Sequence, residues 1–182
     1  MRNSKWCLLA IVFLLSGFAL GHELTDDEIA LLATDVSGLT GVTEEPHQLA
    51  DSTATLCVTI PRAQHEIHDG FVEPAYCHVY ANKKAHPVIM TGKGTYPPGS
   101  LIVKSKFRNK EASEKIELYT VMRKRDAGYD SENGDWEYSV VDGRTRRVLA
   151  RGTIESCVGC HAEYKATDYV SREYLTTDNG EP

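Results

Sequence analysis

From residue 56 onward the chain falls into short β-like runs separated by turn chemistry, and this spacing limits the fold more than any other feature. The runs are 56–60 (LCVTI), 75–81 (AYCHVYA), 100–107 (SLIVKSKF), 116–124 (IELYTVMRK), 135–142 (DWEYSVVD) and 146–152 (RRVLARG). They are rich in Val, Ile, Tyr and Thr, whose branched or flat side chains suit a pleated surface. Tyr96-Pro97-Pro98-Gly99, Asn133-Gly134 and Asp142-Gly143 interrupt them. Proline presets such turns and glycine supplies backbone angles that other residues resist. Close hairpin spacing favours antiparallel pairing.

Upstream the pattern differs. Thr25 followed by Glu28 reads as a capping box, and Ile29, Leu31, Leu32 and Val36 follow at roughly helical spacing. An amphipathic helix is predicted over 26–37. Residues 38–55 are polar and read as an extended arm. The class expected is α+β: a mainly antiparallel β-sheet with an N-terminal helix and a short C-terminal helix.

The first residues point to export. Arg2 and Lys5 precede an apolar run from Trp6 to Leu20, and Ala19-Leu20-Gly21 resembles a cleavage site. This is the layout of a signal peptide over 1–21, and the run is shorter than the roughly 20 residues a spanning helix needs. The expected address is periplasmic or secreted. The expected divisions are 22–55 for helix and arm, 56–176 for the main domain, and 177–182 for a polar tail. Without residues 1–21, which hold two basic and no acidic residues, 18 Lys and Arg remain against 26 Asp and Glu, a formal charge of −8. Nucleic-acid binding needs a basic footprint, so no nucleic-acid partner is expected. Arg123-Lys124-Arg125 and Arg144-Thr145-Arg146-Arg147 read as solvated strand ends or turns.

Cysteine placement narrows the chemistry. Cys7 leaves with the signal peptide, and Cys157-Val158-Gly159-Cys160-His161 forms a C-x-x-C-H motif. Two thiols at that gap can add across the two vinyl groups of a haem, and the adjacent histidine then lies under the iron. One covalently attached haem c is expected, held by Cys157 and Cys160 with His161 as axial ligand. A zinc site would need further ligands at metal spacing, and a thioredoxin-like motif would need a βαβ context. No Cys, His or Met follows His161. The remaining Cys57 and Cys77 are an even pair, for which a disulfide is expected in an oxidising compartment.

Five segments, in order over roughly residues 72–175, carry a family resemblance. They are Gly99-Ser-Leu-Ile-Val-Lys104, Tyr119-Thr-Val-Met-Arg-Lys-Arg125, Gly134-Asp-Trp-Glu-Tyr138, Arg151 through His161, and Thr167-Asp-Tyr-Val170. As a set they resemble the cytochrome P-460 family and its relative cytochrome c′-beta. The resemblance implies a β-sheet domain, often a homodimer, with an open position on the iron. It also implies either oxidation of hydroxylamine, with electrons passed to a soluble acceptor, or binding of nitric oxide or carbon monoxide without turnover. In the enzymes a lysine in a Gly-x-x-x-x-Lys strand bonds to the porphyrin edge, and Lys104 is the matching position. Thr120 stands where the enzymes carry a distal carboxylate, Cys77 lies near the position of a pocket arginine, and Ser171 replaces an aromatic.

The expected function is therefore oxidation of a small nitrogen compound, with gas binding or electron transfer as alternatives. Alternation places Lys104 on one strand face with Ile102 and Lys106. Trp136 and Tyr138 read as core, and Asp168 and Tyr169 as a turn or as contacts to a propionate or the His161 ring. His65, His68, His78, His86, Met90 and Met122 are sixth-ligand candidates that no spacing favours.

Overall fold

A computed structural model describes residues 23–49 and 74–175. The signal segment, the run at 56–60, the polar tail, Cys57, His65 and His68 lie outside the described residues. The chain is α+β, as the turn spacing predicts. Helix α1 (Asp26–Thr34) precedes strands β1 (Thr40–Gly41), β2 (His47–Gln48) and β3 (Tyr76–Ala81). Helix α2 (His86–Thr91) is followed by β4 (Leu101–Phe107), β5 (Leu118–Lys124), β6 (Trp136–Asp142) and β7 (Val148–Gly152), and then by α3 (Glu155–His161). The seven strands form one antiparallel sheet in the order β1-β3-β4-β5-β6-β7, with β2 also paired to β3.

Helix α1 begins at the predicted capping box: Thr25 Oγ1 accepts from Glu28 N–H, and Glu28 Oε2 accepts from Thr25 N–H at 2.7 Å. It stops three residues earlier than the periodicity suggests. Asp35 Oδ1 accepts from both the backbone and the hydroxyl of Ser37, and this local turn competes with another helical turn. Two further elements carry no clear sequence signal. The arm supplies β1 and β2, and α2 forms where Pro87 presets the first turn and Gly92 closes the last in the left-handed region.

Cross-strand register gives the sheet two distinct faces. On one face Leu101, Val103, Val121 and Val141 pack against Ile29 and Ala33 of α1. On the other, Val79, Ile102, Met122, Trp136 and Tyr138 join Ile89 of α2 and Val170. Both faces of β4 are thus covered, which explains a strand buried on nearly every residue.

The charged run at Arg123-Lys124-Arg125 is not a solvated strand end. Glu137, 3 % exposed on the α1 face, accepts from Arg123 Nε at 2.8 Å, Arg125 at 3.0 Å and Arg151 Nε at 2.7 Å. Glu23 joins the cluster through Arg125 and Arg151, tying the N-terminal segment to the sheet. Buried charge is costly unless paired, and here each charge meets its opposite. Arg144 to Arg147, by contrast, are largely exposed in the turn before β7, as expected.

Burial by itself raises the Glu137 pKa, but the bonds and charges of Arg151 and Arg123 outweigh it and bring the carboxyl below its usual range. A depressed folded-state pKa stabilises above the unfolded value, and that contribution is lost as pH falls through the folded one. Glu137→Ala leaves three guanidinium groups without their shared partner. Denaturant unfolding at neutral pH is expected to show a loss of about 3–5 kcal/mol, with a smaller loss in acid where Glu137 is already protonated.

Candidate functional site

Helix α3 lies over the sheet face opposite α1. Cys157, Cys160 and His161 stand at i, i+3 and i+4, so the helix turn brings them to one side. All three line a single cleft, together with Val79, Ile102, Lys104, Thr120, Met122 and Tyr138 from the sheet. The cleft is partly open to solvent. His47 and Leu49 from the arm, and Ser171, Glu173 and Tyr174 from the C-terminal segment, complete the wall.

His161 is held in one tautomer. Its Nδ1 lies 2.7 Å from the Tyr169 carbonyl oxygen, which can only accept, so Nδ1 carries the proton and Nε2 keeps its lone pair. Burial pushes the imidazole down to about 4, against the opposing pull of the Tyr169 bond and with a smaller push from Lys104. The ring is neutral at neutral pH, the form that binds a metal.

Tyr138 supplies a second sign of a ligand site. Its ring centre lies 5.3 Å from that of His161, and its buried hydroxyl has no partner within the described protein. An orphaned hydroxyl in an apolar wall is costly, and a ligand with polar groups at its edge would relieve that cost. Tyr138 is therefore both core, as its strand position suggests, and cleft wall.

Lys104 lines the cleft as well. It pairs in register with Val79 on β3 and Thr120 on β5, so Lys104 and Thr120 are adjacent on the same wall. Of the three positions at which the resemblance implied a difference from the enzymes, Thr120 and Ser171 line the cleft. The third, Cys77, is buried on the same sheet face, and burial pushes its thiol up to about 11. The disulfide expected with Cys57 involves a residue outside those described.

Of the other histidines and methionines, His78 is on the α1 face of the sheet beside Thr43, His86 begins α2, and Met90 is exposed. Met122 alone among the sixth-ligand candidates in the described residues reaches the cleft. The sequence reading missed His47, Glu173 and Tyr174. They come from the arm and from the segment after α3, which have no periodicity, so only the folded chain brings them to the site.

A sheet roofed by a helix that presents two thiols and a neutral imidazole to one cleft fits a broad, flat, metal-bearing cofactor. A family model described as Cytochrome P460 matches residues 53–172, about two thirds of the chain. The chain belongs to the cytochrome P460 family, a membership that implies a haem cofactor. No curated protein matches it.

The turn behind His161 depends on one glycine. Gly134 has φ +75°, and an added Cβ would lie 2.5 Å from Tyr169 Cδ2. Gly134→Ala is expected to lower stability by about 1–3 kcal/mol in urea unfolding, from backbone strain together with displacement of the Tyr169 ring.

Proposed function

We propose that this is an exported mono-haem c-type cytochrome that oxidises a small nitrogen compound such as hydroxylamine. Cys157 and Cys160 would hold the haem through thioether bonds, and His161 would give Nε2 to the iron. Haem, when bound, supplies an iron centre that takes electrons from a small nitrogen ligand and passes them to a soluble acceptor. The observation that carries the redox reading is Lys104 on the wall of the cleft that Cys157, Cys160 and His161 share. A lysine there can bond to the edge of the macrocycle, as in the enzymes of the family.

The chain's own groups supply the rest. Apolar Val79, Ile102 and Val170 restrict water, and the Tyr138 hydroxyl offers a bond to a polar edge of the cofactor. Each electron removed from hydroxylamine releases a proton from N–H or O–H, so the cleft needs acceptors. Thr120 cannot serve at neutral pH. His47 can: burial lowers its pKa, partly opposed by Glu173 and assisted by Lys104, which keeps the ring neutral. Glu173, exposed at the rim and accepting from the Tyr164 hydroxyl at 3.0 Å, offers a way out to solvent. A periplasmic or secreted address, and a homodimer, belong to the same reading.

Thr120 beside Lys104 favours a second reading, reversible binding of nitric oxide or carbon monoxide without turnover. Two experiments separate these readings. The first concerns attachment: the haem should survive denaturation and acid–organic extraction, and Cys157→Ala with Cys160→Ala should release it. Free extraction from the wild type would remove the c-type assignment.

The second concerns Lys104. Mass spectrometry of digested protein should find the haem carrying a Lys104 peptide as well as the peptide of Cys157 and Cys160. Lys104→Ala should then shift the ferrous Soret band to the blue and abolish hydroxylamine-dependent reduction of an artificial acceptor. A haem bound only to the C-terminal peptide, with an unchanged Lys104→Ala spectrum, would establish the gas-binding reading instead.

A further inference from the structure

The hydrogen bond that fixes the His161 tautomer comes from an unusual piece of backbone. Asp168 and Tyr169 both adopt left-handed angles, φ +53° and φ +66°, in succession and without glycine. A bulky aromatic residue seldom takes that conformation, and it persists only where its surroundings over-determine it. Here the surroundings are explicit. The Asp168 carboxylate accepts from Lys124 Nζ at 2.7 and 2.8 Å and from the Tyr96 backbone N–H at 2.8 Å. The Asp168 carbonyl accepts from Trp136 Nε1 at 2.8 Å, and the Tyr169 hydroxyl donates to the Glu132 carbonyl at 2.8 Å.

None of these anchors belongs to α3. Lys124 ends β5, Trp136 begins β6, and Tyr96 and Glu132 lie in the segments that lead into strands β4 and β6. The carbonyl that binds His161 therefore sits on a turn held from two sides: by the backbone bonds of Asp168 and Tyr169 N–H to the Lys165 and Tyr164 carbonyls, and by these side-chain anchors to the sheet. The ion pair at the centre is about nine-tenths buried on both sides, and Lys124 Nζ also stands 4.9 Å from the Trp136 ring centre. A buried ion pair contributes little net stability compared with apolar packing, whereas it does impose direction. Apolar side chains at 124 and 168 would fill the space without aiming the turn.

We propose that Lys124 and Asp168 form a positioning unit for the axial histidine: their ion pair locks the left-handed turn that directs the Tyr169 carbonyl at His161 Nδ1. The unit thereby sets how strongly Nε2 donates to the iron. A carbonyl accepting from Nδ1–H makes the imidazole a stronger donor, and bonding around the axial ligand is one of the protein's means of tuning a haem potential. A stronger donor favours ferric iron. Loosening the turn weakens the bond and moves the balance toward ferrous iron. The inference rests on His161 being the axial ligand, as proposed above.

The test uses the haem-loaded protein and reads the ligand bond itself. Asp168→Asn and Lys124→Met each break the pair and leave a buried group without its counterpart. The double variant removes both charges. The asparagine side chain it introduces still suits left-handed backbone and can accept from Tyr96 N–H, so the double variant remains informative if a single one fails to fold. Arg108→Met, which breaks the exposed pair with Glu117 outside the cleft lining, is the control.

Each pair variant should lower the iron–histidine stretching frequency in resonance Raman spectra of the ferrous protein. Each should also raise the midpoint potential, by about a tenfold change in the ferrous-to-ferric ratio, or about 59 mV for one electron. The double variant should shift both readouts no more than the larger single one, because the two residues act as one unit. The control should move neither. Lower melting temperatures with wild-type Raman frequency and potential would overturn the inference, leaving the pair a structural contact. Wild-type protein without an iron–histidine band would instead overturn the ligand assignment on which it rests.

Discussion

A single sheet has two faces to bury, and among the described residues they are covered by short helices, the arm and the segment after α3. Burying strands on both sides forces several charged side chains out of water, and charge out of water must be paired. The fold meets this demand on both faces. Glu137 gathers Arg123, Arg125 and Arg151 on the α1 face, and Asp168 takes Lys124 on the cleft face. Arg123, Lys124 and Arg125 are consecutive, so strand alternation alone distributes one basic run between the two clusters. That division ties both ends of the described chain to the sheet: Glu23 through the arginines, and the segment after α3 through the lysine.

The site inherits its rigidity from this arrangement. Lys104, Thr120 and Tyr138 stand on central strands whose register is set on both sides, so the cleft wall has little freedom. The opposite wall, α3, is seven residues long and lacks a side-chain N-cap. Its attachment depends on packing and on the bond from His161 to the segment that follows it. A metal ligand on a short helix needs a second point of support if its ring is to keep one orientation, and the Tyr169 carbonyl provides it.

Much of this was legible in the chain. Five of the six β-like runs lie in the described residues, and all five contain strands, because period-two alternation and Gly or Pro punctuation are local signals. The C-x-x-C-H spacing is also local, and it placed two thiols and an imidazole close together before any tertiary contact was known. The alternation that grouped Lys104 with Ile102 likewise held, although it could not say whether that face met solvent or a cleft.

Nearest neighbours and short periods thus account for the strands, the turns, the capping box and the attachment motif, and all of these can be read from the chain alone. Where the charges went, and which groups surround the site, was settled only when the chain folded. His47 and Glu173 reach the cleft from the arm and from the segment after α3, both without periodicity. Arg123, Lys124 and Arg125 look like a solvated cluster until their partners Glu137 and Asp168 arrive from elsewhere in the chain. The physical reason is the same in each case: hydrogen bonds and ion pairs between distant segments depend on how the sheet faces are covered, and no local pattern encodes that.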